Sequence, residues 1–267
     1  MKILKKNLSL IIWIIALIIV WELYANQVAV TKRTPENILP HLKQILDAAT
    51  SSKKVAGGET AVGVVLSSAG VTLFRALIGL LVGTISGFIL AVIMKLSGLV
   101  EKTIFPYLML IQLIPVLGLA PIILSITGDI NVSRVMIAGI LSFYPVATNT
   151  LAGLKSVEKE KYELMYTYAA SKRAIYTKVL IPTALPYFFT GLKIATPMAV
   201  TASILVDTLQ GDGGLGCILS QSLKHAMSIY VFWIIVFFSA FIGIFSGYFI
   251  GVIEKLVTPG RRAYGKG

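Results

Sequence analysis

The stretch KSVEKEKYELMYTYAASKRAIYTKVLIPTALP, residues 155–186, is the one long polar interruption in the apolar second half of the chain. It carries Lys155, Lys159, Lys161, Lys172, Arg173 and Lys178, whereas almost everything else after Gly70 is long, uncharged hydrophobic sequence. A loop this basic between membrane spans is expected to face the cytoplasm and to be long enough to touch something there. The 267 residues are 56% hydrophobic and 13% charged, with a mean hydropathy of +0.84. Soluble chains carry about a quarter charged residues, so this is an integral membrane protein. Several windows reach the roughly 20 apolar residues that a helix needs to cross the hydrocarbon core. The apolar runs are continuous rather than alternating, which argues against a transmembrane barrel.

The net charge of +12 does not point to nucleic acid, because the Lys and Arg sit in short groups between apolar spans, where they anchor and orient the chain. A single cysteine, Cys217, excludes an intrachain disulfide framework and a Cys-based zinc cluster. With only His41 and His225, a metal site has little to build on.

The spans follow in order. Lys2, Lys5 and Lys6 precede an apolar run to Trp21, as in a signal peptide. No small-x-small cleavage site follows Glu22, so an uncleaved first span is expected. Residues 26–68 are polar; within them Ile38, Leu42, Ile45, Leu46 and Ala49 recur at helical spacing after Pro35, an amphipathic helix for the outer surface. The second span, residues 71–94, repeats Gly79, Gly83 and Gly87 on one face, which lets another helix approach closely. The third, residues 103–128, holds Pro106, Pro115 and Pro121, and bent backbone of this kind belongs inside the bundle. The fourth covers residues 135–154, the fifth residues 185–206, and the sixth residues 231–253. A glycine-rich outer segment, residues 208–228, joins the last two. With the N-terminus inside, the cytoplasmic segments hold fifteen Lys and Arg against seven outside, Arg134 among the latter. The bias predicts a multi-pass protein of the plasma or inner membrane with both termini cytoplasmic. The chain reads as one transmembrane domain, residues 1–267. Residues 1–69 supply the first span and the amphipathic segment, and residues 70–258 supply a core with the loop 155–183.

Several motifs look chemical and lack their context. Residues 211–216, GDGGLG, satisfy G-x-G-x-x-G but follow a membrane span rather than a strand, so a tight glycine turn or re-entrant loop is expected. There is no G-x-x-x-x-G-K-[ST] phosphate loop, and Ser156 to Lys159 fits S-x-x-K without that enzyme class's partner motifs. Ionisable groups in spans are functional candidates by default. Glu22 and Glu254 lie near span ends and reach water. Asp207, Arg75 and Lys193, with the polar Gln112 and Asn149, are the candidates for a pathway or gate. For Lys193, pairing with a carboxylate or carbonyl competes with contact to substrate; for Asp207, a structural role competes with a gate.

In the long loop, residues 158–170 form a helix on which Tyr162, Met165, Tyr166 and Ala169 share a face. That face either contacts a protein partner or packs on the membrane and neighbouring loops. The loop resembles the E-A-A-x-x-x-G, nine residues, I-x-L-P motif of the permease subunits of ATP-binding-cassette importers. Glu163 falls on the E, Ala169 on the G and Val179-Leu180-Ile181-Pro182 on I-x-L-P, with no gap. Leu164-Met165 replaces the two alanines. Ala169 replaces the turn glycine, although alanine avoids φ > 0. From about Pro35 to Pro259 the chain is similar to the nitrate/sulfonate/taurine class of these permeases. Thr72-Leu73-Phe74-Arg75 resembles its T-L-x-R, and Asp207 stands where the class usually has glutamate.

The resemblance implies an all-α, type I importer permease of about six spans. It would work as a homodimer or close heterodimer with the pathway between the subunits. Two ATPase subunits, carrying the ATP and Mg, would dock below, and an extracytoplasmic substrate-binding protein would deliver from above. This chain itself would hold no cofactor and perform no catalysis. Its coupling residues would be Tyr162, Glu163, Met165, Tyr166, Ala169, Ala170, Ser171 and Pro182. The alternative is a self-contained secondary transporter, which calls for midplane carboxylates and an internal repeat. A membrane-embedded enzyme lacks a His/Asp/Glu or Ser/His cluster. The class handles nitrate, sulfonates, taurine and vitamin precursors, and the substrate is not legible here.

Overall fold

The computed structural model describes residues 2–55, 58–209, 213–224 and 229–258. Residues 211 and 212 of the glycine motif, His225 and the tail with Arg261, Arg262 and Lys266 lie outside them. Among the described residues there are eleven α-helices and, in place of any strand, one isolated bridge between Lys54 and Thr60. Five segments are long and apolar enough to cross a membrane: Ile11–Thr31, Ala61–Leu96, Ile130–Lys155, Lys172–Leu209 and Ile229–Val257. The fold is all-α, as the continuous apolar runs require.

Contacts divide the chain into two units. The first comprises Met1–Ser68 and Ile218–Phe237. In it, α1 (Lys2–Thr31) is followed by a 3-10 turn, Pro35–Asn37, and α2 (Leu42–Thr50). The carboxylate of Glu22 accepts the Leu42 N–H at 2.9 Å and lies 2.7 Å from His41 Nδ1, so a side chain of α1 satisfies an orphan donor at the start of α2. Trp21 meets Trp233 edge to face at 4.7 Å and donates to the Pro40 carbonyl. The amphipathic helix is shorter than its hydrophobic spacing suggests. Pro40 disfavours helical backbone at Leu39, which leaves Ile38 outside the helix, and only Ile45 is buried.

The second unit comprises Ala69–Cys217 and Phe238–Gly267. Its chain takes in most of α3 (Ala61–Leu96), α4 (Gly98–Ile111), α5 (Val116–Thr127), α6 (Ile130–Lys155), α7 (Lys159–Thr167), α8 (Lys172–Ile175), α9 (Ile181–Leu209), the first turn of α10 (Leu215–Lys224) and the later part of α11 (Ile229–Val257). The glycine face of α3 packs on α6 backbone to backbone. A Cβ at Gly79 would stand 2.5 Å from the Ala138 Cβ, and one at Gly83 would stand 2.4 Å from the Gly139 carbonyl oxygen. On the other side of α6, Gly191 of α9 sits just as tightly under the Pro145 carbonyl. The buried centre is rich in alanine (Ala138, Ala195, Ala199, Ala202), which keeps the helices close.

The third expected span is two helices rather than one. α4 ends at Ile111, and Pro115, with extended backbone, caps α5. At the loop end Glu101 of α4 pairs with Lys155, while Ala120 and Ile123 of α5 pack with Ile137 and Val206 toward the opposite end. The broken helix stands where one span was expected, in addition to the five segments among the described residues that are long and apolar enough to cross a membrane.

Gly83→Ala is expected to lower the melting temperature in detergent, because overpacking at such a contact costs about 1–3 kcal/mol. Gly247→Ala, where nothing lies within 4 Å of the added methyl, should leave it unchanged. Equal melting temperatures for the two variants would contradict this packing.

Candidate functional site

At the loop end, α7 closes with a Schellman arrangement built on alanine. Tyr168 caps the helix, Ala169 has φ +47°, the Ala169 N–H donates to the Tyr166 carbonyl at 2.9 Å and the Ala170 N–H to the Met165 carbonyl at 3.0 Å. The bend that the motif's glycine would supply thus forms at the same position. Left-handed backbone costs a residue with a Cβ about 1–2 kcal/mol. The two capping hydrogen bonds offset this, as does the packing of Met165 and Ala170 on a buried cluster that includes Met94, Leu154, Ile175 and Leu180. Ser171 then caps α8 by accepting the Ala174 N–H. A π-helical turn, Tyr176–Leu180, precedes Pro182, whose missing N–H interrupts the normal ladder.

The side chains of α7 divide between two directions. Tyr162 and Met165 turn inward onto the cluster, and the Lys95 ammonium lies 5.6 Å from the centre of the Tyr162 ring. Burial first, then the neighbouring Tyr166, raises the Tyr162 hydroxyl above its ordinary pKa, so it stays neutral. Leu164, Tyr166 and Tyr168 are exposed, as is Glu163, which pairs with Lys159 at 3.5 Å. Exposed aromatics beside an ion pair on a nine-residue helix and its cap make an apolar patch that stays exposed among the described residues.

The opposite end holds a buried charge cluster. Thr72 and Arg75, three residues apart, share a face of α3. Asp207 is fully buried near the end of α9, and Arg134 is fully buried in the second turn of α6. Arg134 Nε lies 2.9 Å from Asp207 Oδ1, an ion pair by distance rather than an aligned hydrogen bond. Arg75 Nη1 donates to the same oxygen at 3.4 Å. Thr72 donates to Asp207 Oδ2 at 2.7 Å and in turn accepts the Leu215 N–H at 2.8 Å. Gly214, with φ +96°, rests on the carboxylate so closely that a Cβ there would stand 2.2 Å from Asp207 Oδ2. The glycine motif is therefore a tight turn leading into α10, as far as Gly213 and Gly214 describe it.

Of the pathway candidates, the structure brings Asp207 and Arg75 together and separates the others. Lys193 pairs with Glu254 of α11. The Asn149 amide donates to the Pro145 carbonyl of its own helix at 2.8 Å. Gln112 is an exposed cap residue at the end of α4. Arg134 is the member that sequence reading missed, having been counted as an outer charge. The signal available was its place five residues after Asp129, a helix-capping residue type, and directly before the fourth apolar segment.

The apolar helices and the partly exposed helix of the basic loop are those of an integral membrane protein, and its likeness to known proteins gives its class. The chain matches the family model for the binding-protein-dependent transport system inner membrane component over residues 79–259 and belongs to that family. It is 34% identical to the formylaminopyrimidine transport permease protein ThiX of Halalkalibacterium halodurans, covering 69% of this chain and 74% of that one. It is 26% identical to the nitrate import permease protein NrtB of Synechococcus elongatus, over 72% and 70%. It is 23% identical to the putative aliphatic sulfonates transport permease protein SsuC of Bacillus subtilis, over 73% and 70%. In fold it is similar to the crystal structure of an amino acid ABC transporter with histidines, with a TM-score of 0.62 and 18% identity, covering 73% of this chain and 94% of that one. The chain is a multi-pass inner-membrane permease of an ATP-binding-cassette importer of the nitrate/sulfonate class.

Two outcomes follow from this geometry. Ala169→Gly removes the left-handed strain but adds chain entropy worth about 0.5–1 kcal/mol, so it should stabilise by up to about 1 kcal/mol in denaturant melts. Ala169→Val should destabilise, and the reverse order would contradict the bend. Asp207→Ala strands two guanidinium groups and should cost about 3–5 kcal/mol, read as a large fall in melting temperature. A fall no larger than that of a surface carboxylate variant such as Glu160→Ala would contradict the cluster.

Proposed function

We propose that this permease couples to a separate ATPase subunit through residues 158–182 and carries a small solute inward by alternating access. The observation that carries the reading is the exposed patch of Leu164, Tyr166 and Tyr168 on a loop whose spacing fits the importer motif. Tyr162, Met165 and Ala170 hold α7 onto the ends of α3, α6 and α9, so a push on α7 moves the helices it rests on. Glu163 and Ala169 stand at the surface, where a partner's groove meets them. ATP and Mg belong to the partner, and they act on this chain by favouring one of its states over another.

In this reading the loop is cytoplasmic with both termini, two permease subunits enclose the pathway, and an extracytoplasmic binding protein delivers the solute. The relatives' names span a formylaminopyrimidine, nitrate and aliphatic sulfonates, which supports a small solute such as a sulfonate, taurine, nitrate or vitamin precursor. Glu254 pairs with Lys193, and Asp207 with Arg134 and Arg75, so neither carboxylate stands without a cation, which favours this reading over an ion-coupled secondary transporter.

Glu163→Lys and Tyr166→Asp should each cut solute uptake and solute-stimulated ATP hydrolysis at least roughly tenfold, the effect of losing an interface anchor. The spans should stay folded. Full uptake with both variants would refute coupling through this helix.

A further inference from the structure

We propose that the Thr72 hydroxyl, the Asp207 carboxylate and the Leu215 N–H form a releasable latch. In one state of the transport cycle it holds the Gly213–Gly214 turn and the start of α10 on α3 and α9, and in another it lets go. The proposal rests on the importer reading, and it places the moving seam at one backbone contact.

The charges themselves are not the moving part. Asp207 is held by Arg134, Arg75 and Thr72, none of which lies on the turn, so release need not take these partners from the carboxylate. What release breaks is the neutral bond from the Leu215 N–H to Thr72 Oγ1, at 2.8 Å. Breaking a neutral bond costs far less than opening a buried ion pair. The contact surface is also built to separate. Gly214 lies on the Asp207 carboxylate, and Gly216 lies so close to α9 that a Cβ there would stand 1.9 Å from the Ile204 carbonyl oxygen. Where Gly214 and Gly216 meet α9 the contact is backbone against helix. The side chains that release has to withdraw are Leu215 and Cys217.

Two features keep the latch closed at rest. Leu215 and Cys217 are buried on this side of the turn, and release exposes both. The Leu215 N–H is one of the orphan donors at the start of α10, and Thr72 supplies its acceptor. Thr72 is therefore a positioning residue. It accepts from the turn and donates to the carboxylate, which fixes the direction of its O–H and aims its lone pair at Leu215.

Cys217, the chain's single cysteine, lies in the first turn of α10 and reports the latch. The experiment is the rate of its modification by a hydrophilic, membrane-impermeant maleimide in the full permease–ATPase complex held in lipid nanodiscs. Wild type and Thr72→Ser, which keeps the hydroxyl, should react slowly. Thr72→Val, which removes both bonds at nearly constant volume, should react roughly tenfold faster, since it leaves a buried donor unsatisfied. In wild type, trapping the ATPase with a non-hydrolysable nucleotide should also speed the reaction. The proposal is overturned if Thr72→Val reacts at the wild-type rate. It is also overturned if wild type reacts equally in every nucleotide state while the complex hydrolyses ATP. If Thr72→Val does not fold, that wild-type comparison decides. The Thr72 comparison needs no working partner, and failure of the importer reading shows separately, as a permease with which no ATPase co-purifies.

Discussion

Asp207 and Arg134, a carboxylate and a guanidinium with no access to water, meet where α3, α6 and α9 converge. A buried pair of this kind adds little net stability over apolar side chains of the same size. Its effect is on register. If α9 slid one helical turn of about 5.4 Å along α6, Asp207 would leave both arginines and three ionised groups would be stranded. The close glycine contacts along α3, α6 and α9 share that register, with Gly83 against Gly139 and Gly191 against Pro145. Electrostatics sets the alignment of the helices, and close packing makes the alignment rigid.

Rigidity links the two ends of the second unit. Interiors packed this densely transmit displacement rather than absorb it. At the loop end α7 is tied to the bundle by aromatic and aliphatic contacts and by the Lys95–Tyr162 stack. At the opposite end the Gly213–Gly214 turn is tied by one relayed hydrogen bond. A movement imposed on α7 therefore reaches a weak seam through a stiff body.

The apolar helices, the loop helix and the place of Asp207 as a charge within apolar sequence were legible because each is written locally, in length, spacing or an ionisable group. What the sequence hid was tertiary. Arg134 reads as a charge near a turn, and only the fold shows it sharing one carboxylate with Arg75, a residue 59 positions earlier in the chain. Tyr162, Met165 and Tyr166 look like one stripe, yet adjacent residues on a helix point about 100° apart. The packed side centres between Tyr162 and Met165, and Tyr166 is 74% exposed. Ala169 is disfavoured at φ > 0 by its own propensity, and two capping hydrogen bonds override that propensity. The break at Pro115 was visible as proline content, but not its division of one span into α4 and α5.

The central claim is that the exposed side of α7 is where an ATPase subunit acts on this membrane bundle. A photo-crosslinking residue placed at position 166, in membranes holding the complete complex, tests it most directly. The account predicts an adduct with the ATPase subunit whose yield changes between nucleotide-free and ATP-trapped states. Adducts with lipid alone, or with a protein on the other face of the membrane, would contradict it.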